Sequence, residues 1–377
     1  MLAQYSFGMA LGRGCGLPSV ALVLAHWLNE KFDNVRERLR DWYCSAADKS
    51  GTRRGELEVA ACFGPLLAWV LSFWQGRQLA VALDETTLGE RFVVLAISVV
   101  YRRCAIPVAW KIVPAHRSGA HAPLWIELLE RFRQIVPKDY QVIVLADRGL
   151  YARWLYQKIQ SLGWHPFLRV NATRASFRPA GSSAFVPLSQ LLPKVGRTYQ
   201  AAGTLFRSTP ARLECTLTAC WQRGCAEGWF IATDLPPEAA TAAWYGLRSW
   251  IERGFKHTKT GGWNWQHTRM TDPQRAERLW LVMALADVYL LRCGTQHQAL
   301  CPPADRRART PRVAEALPPR TASTATLPRP LRPILSTFRI GLLLAPLLIL
   351  QNAPRLPETT FHPEPWPNAL AAPFHPP

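Results

Sequence analysis

The hydrophobic pattern changes period along the chain, and each change marks a segment. Residues 1–78 carry apolar stretches such as VALVLAHWL, followed by KFDNVRERLRDWY, in which Val35, Leu39 and Trp42 recur at helical spacing and Asp33-Asn34 offers a cap. From Gln78 the pattern turns to β: LAVALD, RFVVLAISVVY and AIPVAWKIV are apolar runs joined by short polar turns. An amphipathic helix is predicted over Pro123–Ile135, then a strand in YQVIVLAD, a helix over Tyr151–Leu162 and a strand in HPFLRV. Three strands, helix, strand, helix, strand describe a mixed α/β layer with both faces of the sheet covered. Residues 171–236 break that rhythm with short β-like runs and scattered Gly and Pro, and read as a β-rich insertion closed by WFIATDLP. A helix from Pro237 to Thr260 restores the pattern, and a last one is expected from Asp272, a cap before Pro273, to Arg292. Residues 294–377 hold 17 of the 31 prolines, which predicts an extended or disordered tail whose apolar run is able to dock on the fold at a place the sequence does not specify.

Composition changes this picture in one respect, the partner. Of 377 residues, 45 are basic and 26 acidic, a formal charge of +19. Eight of the basic residues are lysine, leaving 37 arginines, whose planar fork of donors suits phosphate oxygens. An anionic polymer is therefore the expected partner, although genome base composition also inflates arginine. No segment monopolises the charge: it is +2 over 1–78, +5 over 79–170, +4 over 171–236, +3 over 237–293 and +5 over 294–377. Nine cysteines lack the density of a disulfide scaffold, and Cys215, Cys220 and Cys225 lack the paired spacing of a zinc site, so reduced thiols are expected. The N-terminus has no signal-peptide pattern, and IGLLLAPLLIL (340–350) falls short of the roughly 20 residues that cross a bilayer. A cytoplasmic protein without a membrane partner is expected.

Three acidic residues stand apart from the basic background. Asp84 ends the run LAVAL and Asp147 ends VIVLA, so each sits at the carboxyl edge of a buried strand, where α/β proteins collect ligands. If those strands are neighbours, the two carboxylates can share a metal ion; alternatively each is a turn or cap residue. On a helical wheel of YGLRSWIERGFKHTK, Tyr245, Arg248, Glu252, Lys256 and Lys259 fall within an arc of roughly 80°. Trp244, Leu247, Trp250, Ile251 and Phe255 occupy the adjoining, apolar arc. That polar arc reads either as Glu252 presented amid cations or as a solvated face of i,i+4 pairs. Three carboxylates at one strand edge repel one another without a divalent cation, and hard oxygen ligands favour Mg²⁺ or Mn²⁺. Glu85 points to the other face of its strand and is not counted as a ligand. His116 and His121 read as solvated loop residues. Trp221 and Trp229 are candidates for stacking on an unpaired base, or pack the insertion's own core; Trp263 and Trp265 carry the same two readings.

Tyr245, Arg248, Glu252 and Lys259 match the Y-(2)-R-(3)-E-(6)-K spacing without a gap. With LDETT around Asp84 and LADRGLY around Asp147, the sequence resembles a DDE transposase of the bacterial insertion-sequence family numbered four. GWNWQHTRMTDPQRAERLWLVMALA also looks like the segment that follows the family's glutamate. The resemblance spans residues 30–293. It implies an RNase H-like mixed-sheet core (79–170 and 237–293) split by the β-rich insertion (171–236) and preceded by a helical N-terminal domain (1–78) that binds DNA ends. It further implies that Asp84, Asp147 and Glu252 hold two divalent ions, Mg²⁺ or Mn²⁺, and that Tyr245, Arg248 and Lys259 contact terminal phosphates. Lys256, on the same arc, joins the DNA-binding set. The expected partners are the element's terminal inverted repeats and target DNA, engaged by a homodimer. The alternatives are a catalytically impaired DNA-binding derivative and a stand-alone nuclease of the same fold.

Overall fold

The computed structural model describes residues 1–50, 52, 54–116, 121–222, 225–300, 335–350 and 359–363. The helical period of the first segment folds as α1 (Leu2–Gly12), α2 (Leu17–Leu28), α3 (Phe32–Tyr43) and α4 (Phe63–Leu71). The change of period at Gln78 is the start of β1 (Gln78–Leu88), which runs antiparallel to β2 (Phe92–Tyr101), itself antiparallel to β3 (Cys104–Pro114). Next come α5 (Ala122–Ile135), β4 (Gln141–Ala146), α6 (Arg153–Ser161) and β5 (His165–Arg169), with β4 parallel to both β1 and β5. Strands β2, β3 and β4 are almost wholly buried because elements cover both faces, which is why they read as unbroken apolar runs.

The β-rich segment contributes β6 (Ser176–Pro179), β7 (Val186–Pro187), the short α7 (Leu188–Leu191), β8 (Thr198–Leu205), β9 (Leu213–Cys220) and β10 (Trp229–Thr233). These strands continue the same sheet: β10 pairs antiparallel with β5, giving the order β3-β2-β1-β4-β5-β10-β9-β8-β6-β7. The protein is thus a mixed α/β fold around one large mixed sheet, with a helical N-terminal region.

The predicted single helix over 237–260 is a composite: a 3₁₀ stretch over Ala242–Arg248, α8 (Ser249–Lys256) and a π turn over His257–Gly261. A uniform wheel of 100° per residue therefore misplaces Tyr245 and Lys259 relative to Glu252, because 3₁₀ and π turns advance by different angles. The last core helix, α9 (Pro273–Leu300), runs past Arg292. Its start is as expected, since Asp272 Oδ1 accepts the N–H of Arg275 at 3.0 Å. α9 is buried on most sides and packs against α1 and β3, tying the N-terminal helices to the sheet.

The tail is also corrected. Described residues within 294–377 fold rather than hang free. α10 (Thr337–Leu350) lies on α9 and buries Phe338, Leu342, Ala345 and Ile349, a helical stripe that the proline content of the whole segment concealed. The helices meet closely because both contact points are glycine: a Cβ at Gly294 would strike the Thr337 carbonyl, and one at Gly341 the Leu290 carbonyl. Phe361 is fully buried beside Phe73, Trp74 and Tyr101, and its N–H donates to the Phe73 carbonyl at 2.6 Å. Residues 301–334, 351–358 and 364–377 of the predicted disordered tail lie outside the described residues. Among the described residues no single helix is long and apolar enough to cross a membrane.

Candidate active site

Parallel pairing of β1 with β4 sets Leu83 opposite Ala146, so the next residues, Asp84 and Asp147, are neighbours at one edge of the sheet. Asp147 is held in a turn in which its Oδ1 accepts the N–H groups of Gly149 at 2.8 Å and Leu150 at 3.2 Å. Glu85 has the opposite direction, as alternation along a strand requires. Its carboxylate accepts from Trp125 Nε1 at 2.9 Å and meets His121 Nδ1 at 3.1 Å, which fastens the start of α5 to β1. The reading of His121 as a solvated loop residue is therefore corrected; its partner lies 36 residues away, beyond any local pattern. His116 is exposed.

Glu252 reaches the same edge from α8. That helix lies close on β3 at Gly254, where an added Cβ would come within 3.0 Å of Ala105 Cβ. The three carboxylates meet on one guanidinium. Arg248 Nη2 lies 2.9 Å from Asp84 Oδ2 and 3.2 Å from Asp147 Oδ2, while Nη1 pairs with Glu252 Oε1. The Arg248 side chain is 9% exposed, that of Asp84 14% and that of Glu252 60%, so the cluster has one wet side. Burial pushes the Asp84 carboxyl up to about 6; Arg248 pulls it down, and Asp147 and Glu252 push it further up.

The remaining predicted residues lie around this centre in different environments. Tyr245 is buried, with its ring edge-on to Trp229 at 5.4 Å, and burial pushes its hydroxyl up to about 12. Lys259 stands on the π turn, where burial lowers its pKa and the charge of Asp84 opposes that shift. Lys256 is exposed. Trp221 is half-buried and donates through Nε1 to the Cys225 carbonyl at 3.0 Å; Trp229 is half-buried against Tyr245. Trp263 and Trp265 are fully buried core residues, the former donating to Asp287 at 2.8 Å and the latter stacked on Phe92. Cys215, Cys220 and Cys225 are free thiols.

Pattern reading missed the second layer of this edge. Ala146 pairs with Leu168, so Arg169, the last residue of β5, comes beside Asp147, which follows β4. Arg169 and Arg148 share Glu227, at 2.7 and 2.9 Å. The available signal was the same one that marked the aspartates, a polar residue at the end of an apolar strand. Away from the sheet edge, a cleft of about 720 Å³ opens between the α1–α2 turn and the segment after the π turn; Arg13, His267, Arg269 and Arg275 line it.

The donor set suits a hard divalent cation, being three carboxylate side chains from three separate elements gathered on one positive charge. Among the described residues, however, no three acidic, histidine or cysteine side chains are arranged to hold a metal ion directly. The central position belongs to Arg248.

Comparison with known proteins gives the class. Residues 90–287, just over half of the chain, match the transposase DDE domain family, a span that includes Asp147 and Glu252 and begins six residues after Asp84. The chain belongs to that family. No curated protein matches it. Among solved structures it is similar to a piggyBac transposase synaptic complex with hairpin DNA, at 10% identity and a TM-score of 0.37, covering 57% of this chain. The match takes in 46% of that structure's chain, so this protein spans about half of the neighbour's length.

Proposed function

We propose that this chain cuts and joins the DNA ends of an insertion sequence, with Asp84, Asp147 and Glu252 as the ligands of two divalent ions, Mg²⁺ or Mn²⁺. The observation that carries the reading is the convergence of three carboxylates, from β1, the end of β4 and α8, on a single cation-holding point. Like charges gathered so closely need a positive partner, and such an arrangement is costly to maintain for stability alone. The sheet order β3-β2-β1-β4-β5, three antiparallel strands followed by two parallel ones, supports an RNase H-like core. Residues 79–170 and 237–293 form its two parts, with 171–236 as the insertion.

When bound, the ions supply Lewis-acid activation of a hydroxyl and offset charge on the leaving oxygen of an in-line phosphoryl displacement. The chain's own residues do the rest. Asp84, within β1, and Asp147, directly after β4, are presented by neighbouring strands, so their separation is set by the sheet and not by flexible loops. Tyr245, Lys259 and Arg248 supply, in turn, a neutral donor, a point charge and a bidentate fork for DNA phosphates, and Lys256 adds charge on the exposed side. Trp229, packed on Tyr245, is placed to stack on an unpaired base beside those contacts; Trp221 is the second candidate. The helical region 1–78 binds the element end, supported by the cationic cleft that it forms with residues 263–275. Two ends require two copies of the chain, and the Y-R-E-K spacing supports the insertion-sequence family numbered four.

The test is Glu252→Gln with labelled end duplex and Mg²⁺. Strand cleavage is expected to vanish while duplex affinity stays within about threefold of the unsubstituted protein. A variant that still nicks the end at an undiminished rate would exclude the carboxylate centre, and one that loses binding together with cleavage would assign Glu252 to folding.

A further inference from the structure

The guanidinium at the centre of the carboxylates belongs to the chain, and the arrangement sets it in competition with any cation that uses the same oxygens. Arg248 Nη2 spans both aspartates and Nη1 takes Glu252, so all three carboxylates are engaged by one side chain. We propose that Arg248 is a built-in counter-ion that holds the three carboxylates together in the metal-free protein and that a divalent cation must displace to load the site. This rests on the reading of Asp84, Asp147 and Glu252 as metal ligands.

Three observations carry it. First, charge: three carboxylates and one guanidinium leave the cluster with two negative charges in excess, so it remains attractive to a divalent cation while being stable without one. Second, the bonding is incomplete. Arg248 Nε is buried with no hydrogen-bond partner. Arg278, also buried, differs: it donates from Nε to the Leu57 carbonyl at 3.3 Å and from Nη1 to the Tyr43 carbonyl at 2.9 Å, and it pairs with Glu56 through Nη2. Arg248 is held through its two terminal nitrogens by the carboxylates and leaves Nε unmet, as Arg38 and Arg275 also do. Third, the cluster is asymmetric. Glu252 is the exposed member and Arg248 stands at the junction of the 3₁₀ stretch with α8, so one side of the ion-pair set faces water, the direction from which a hydrated cation arrives.

The consequence distinguishes this role from ordinary scaffolding. Removing a structural arginine weakens or leaves unchanged whatever the site binds. Removing a competing counter-ion strengthens it, because the cation no longer has to break ion pairs that already exist.

Titration calorimetry of the full chain with MnCl₂, without DNA, reads this directly. Arg248→Gln is expected to bind Mn²⁺ at least tenfold more tightly than the unsubstituted protein, equivalent to about 1.4 kcal/mol. It should melt at a lower temperature without metal and recover a larger share of that loss when Mn²⁺ is added. Arg248→Lys, which keeps the charge but has one ammonium in place of the fork, is expected to be intermediate, and it serves if the glutamine variant does not fold. Mn²⁺ affinity that is equal or weaker in the folded variants overturns the proposal and leaves the metal-ligand reading standing. Absence of Mn²⁺ binding to the unsubstituted protein at millimolar concentration would remove both.

Discussion

Asp287 shows how one residue couples the core to the segment that follows α8 and the π turn. It is buried inside α9, and its carboxylate accepts from Trp263 Nε1. Burial pushes it up to about 8, against the pull of the Trp263 hydrogen bond. The folded state therefore holds a proton that the unfolded chain releases near pH 4, and stability falls as pH rises from about 4 through 8. Asp287→Asn keeps the acceptor for Trp263 without an ionisable proton. Its melting temperature is expected to gain on the unsubstituted protein by at least about 3 °C between pH 6 and pH 9. A constant difference across that range would show that Asp287 does not titrate. At this scale the sequence marked the aspartates of the sheet edge by their place after apolar runs, although Asp147 also serves the turn that such a place suggests. It was silent about Asp287 and misleading about His121, whose partners Trp263 and Glu85 lie far along the chain.

Among elements, the close contact of α9 and α10 makes the C-terminal helix part of the folded unit. Phe338 stacks on His257 with centroids 4.0 Å apart, and His257 opens the π turn that carries Lys259. α10 thus braces the π turn that follows α8. Gly341→Ala inserts a methyl group against the Leu290 carbonyl and should force the helices apart, at a cost of about 1–3 kcal/mol. Thermal unfolding measures this, and an unchanged melting temperature would show that the two helices do not bear on stability. The strands and α9 were legible because their periods are regular and their apolar runs long. The segment of α8 was legible as helix but not in its geometry, since 3₁₀ and π turns keep the same residues while changing the angle between them. α10 was hidden in a different way: its stripe of Phe338, Leu342, Ala345 and Ile349 is plain once isolated, but the prolines around it dominate a count over the whole tail.

For the whole molecule, the dispersed positive charge and the cleft between the N-terminal helices and the segment after the π turn belong together. Arg13 and Arg269 line that cleft and are exposed. If duplex DNA follows it, the double substitution Arg13→Ala/Arg269→Ala removes two phosphate contacts and lowers the slope of log affinity against log salt by about two, equally for specific and unrelated duplexes. A slope equal to that of the unsubstituted protein would direct the DNA elsewhere. By itself the sequence determined the succession of elements and the acidic exceptions in a basic chain, because those depend on local period, strand ends and summed charge. Tertiary structure alone decided that Asp84 and Asp147 are neighbours, that the strands of 171–236 extend the same sheet, and that Arg248 occupies the centre of the three carboxylates. Each of these is set by strand register and by the approach of α8 to β3, and neither quantity is encoded in any local stretch of residues.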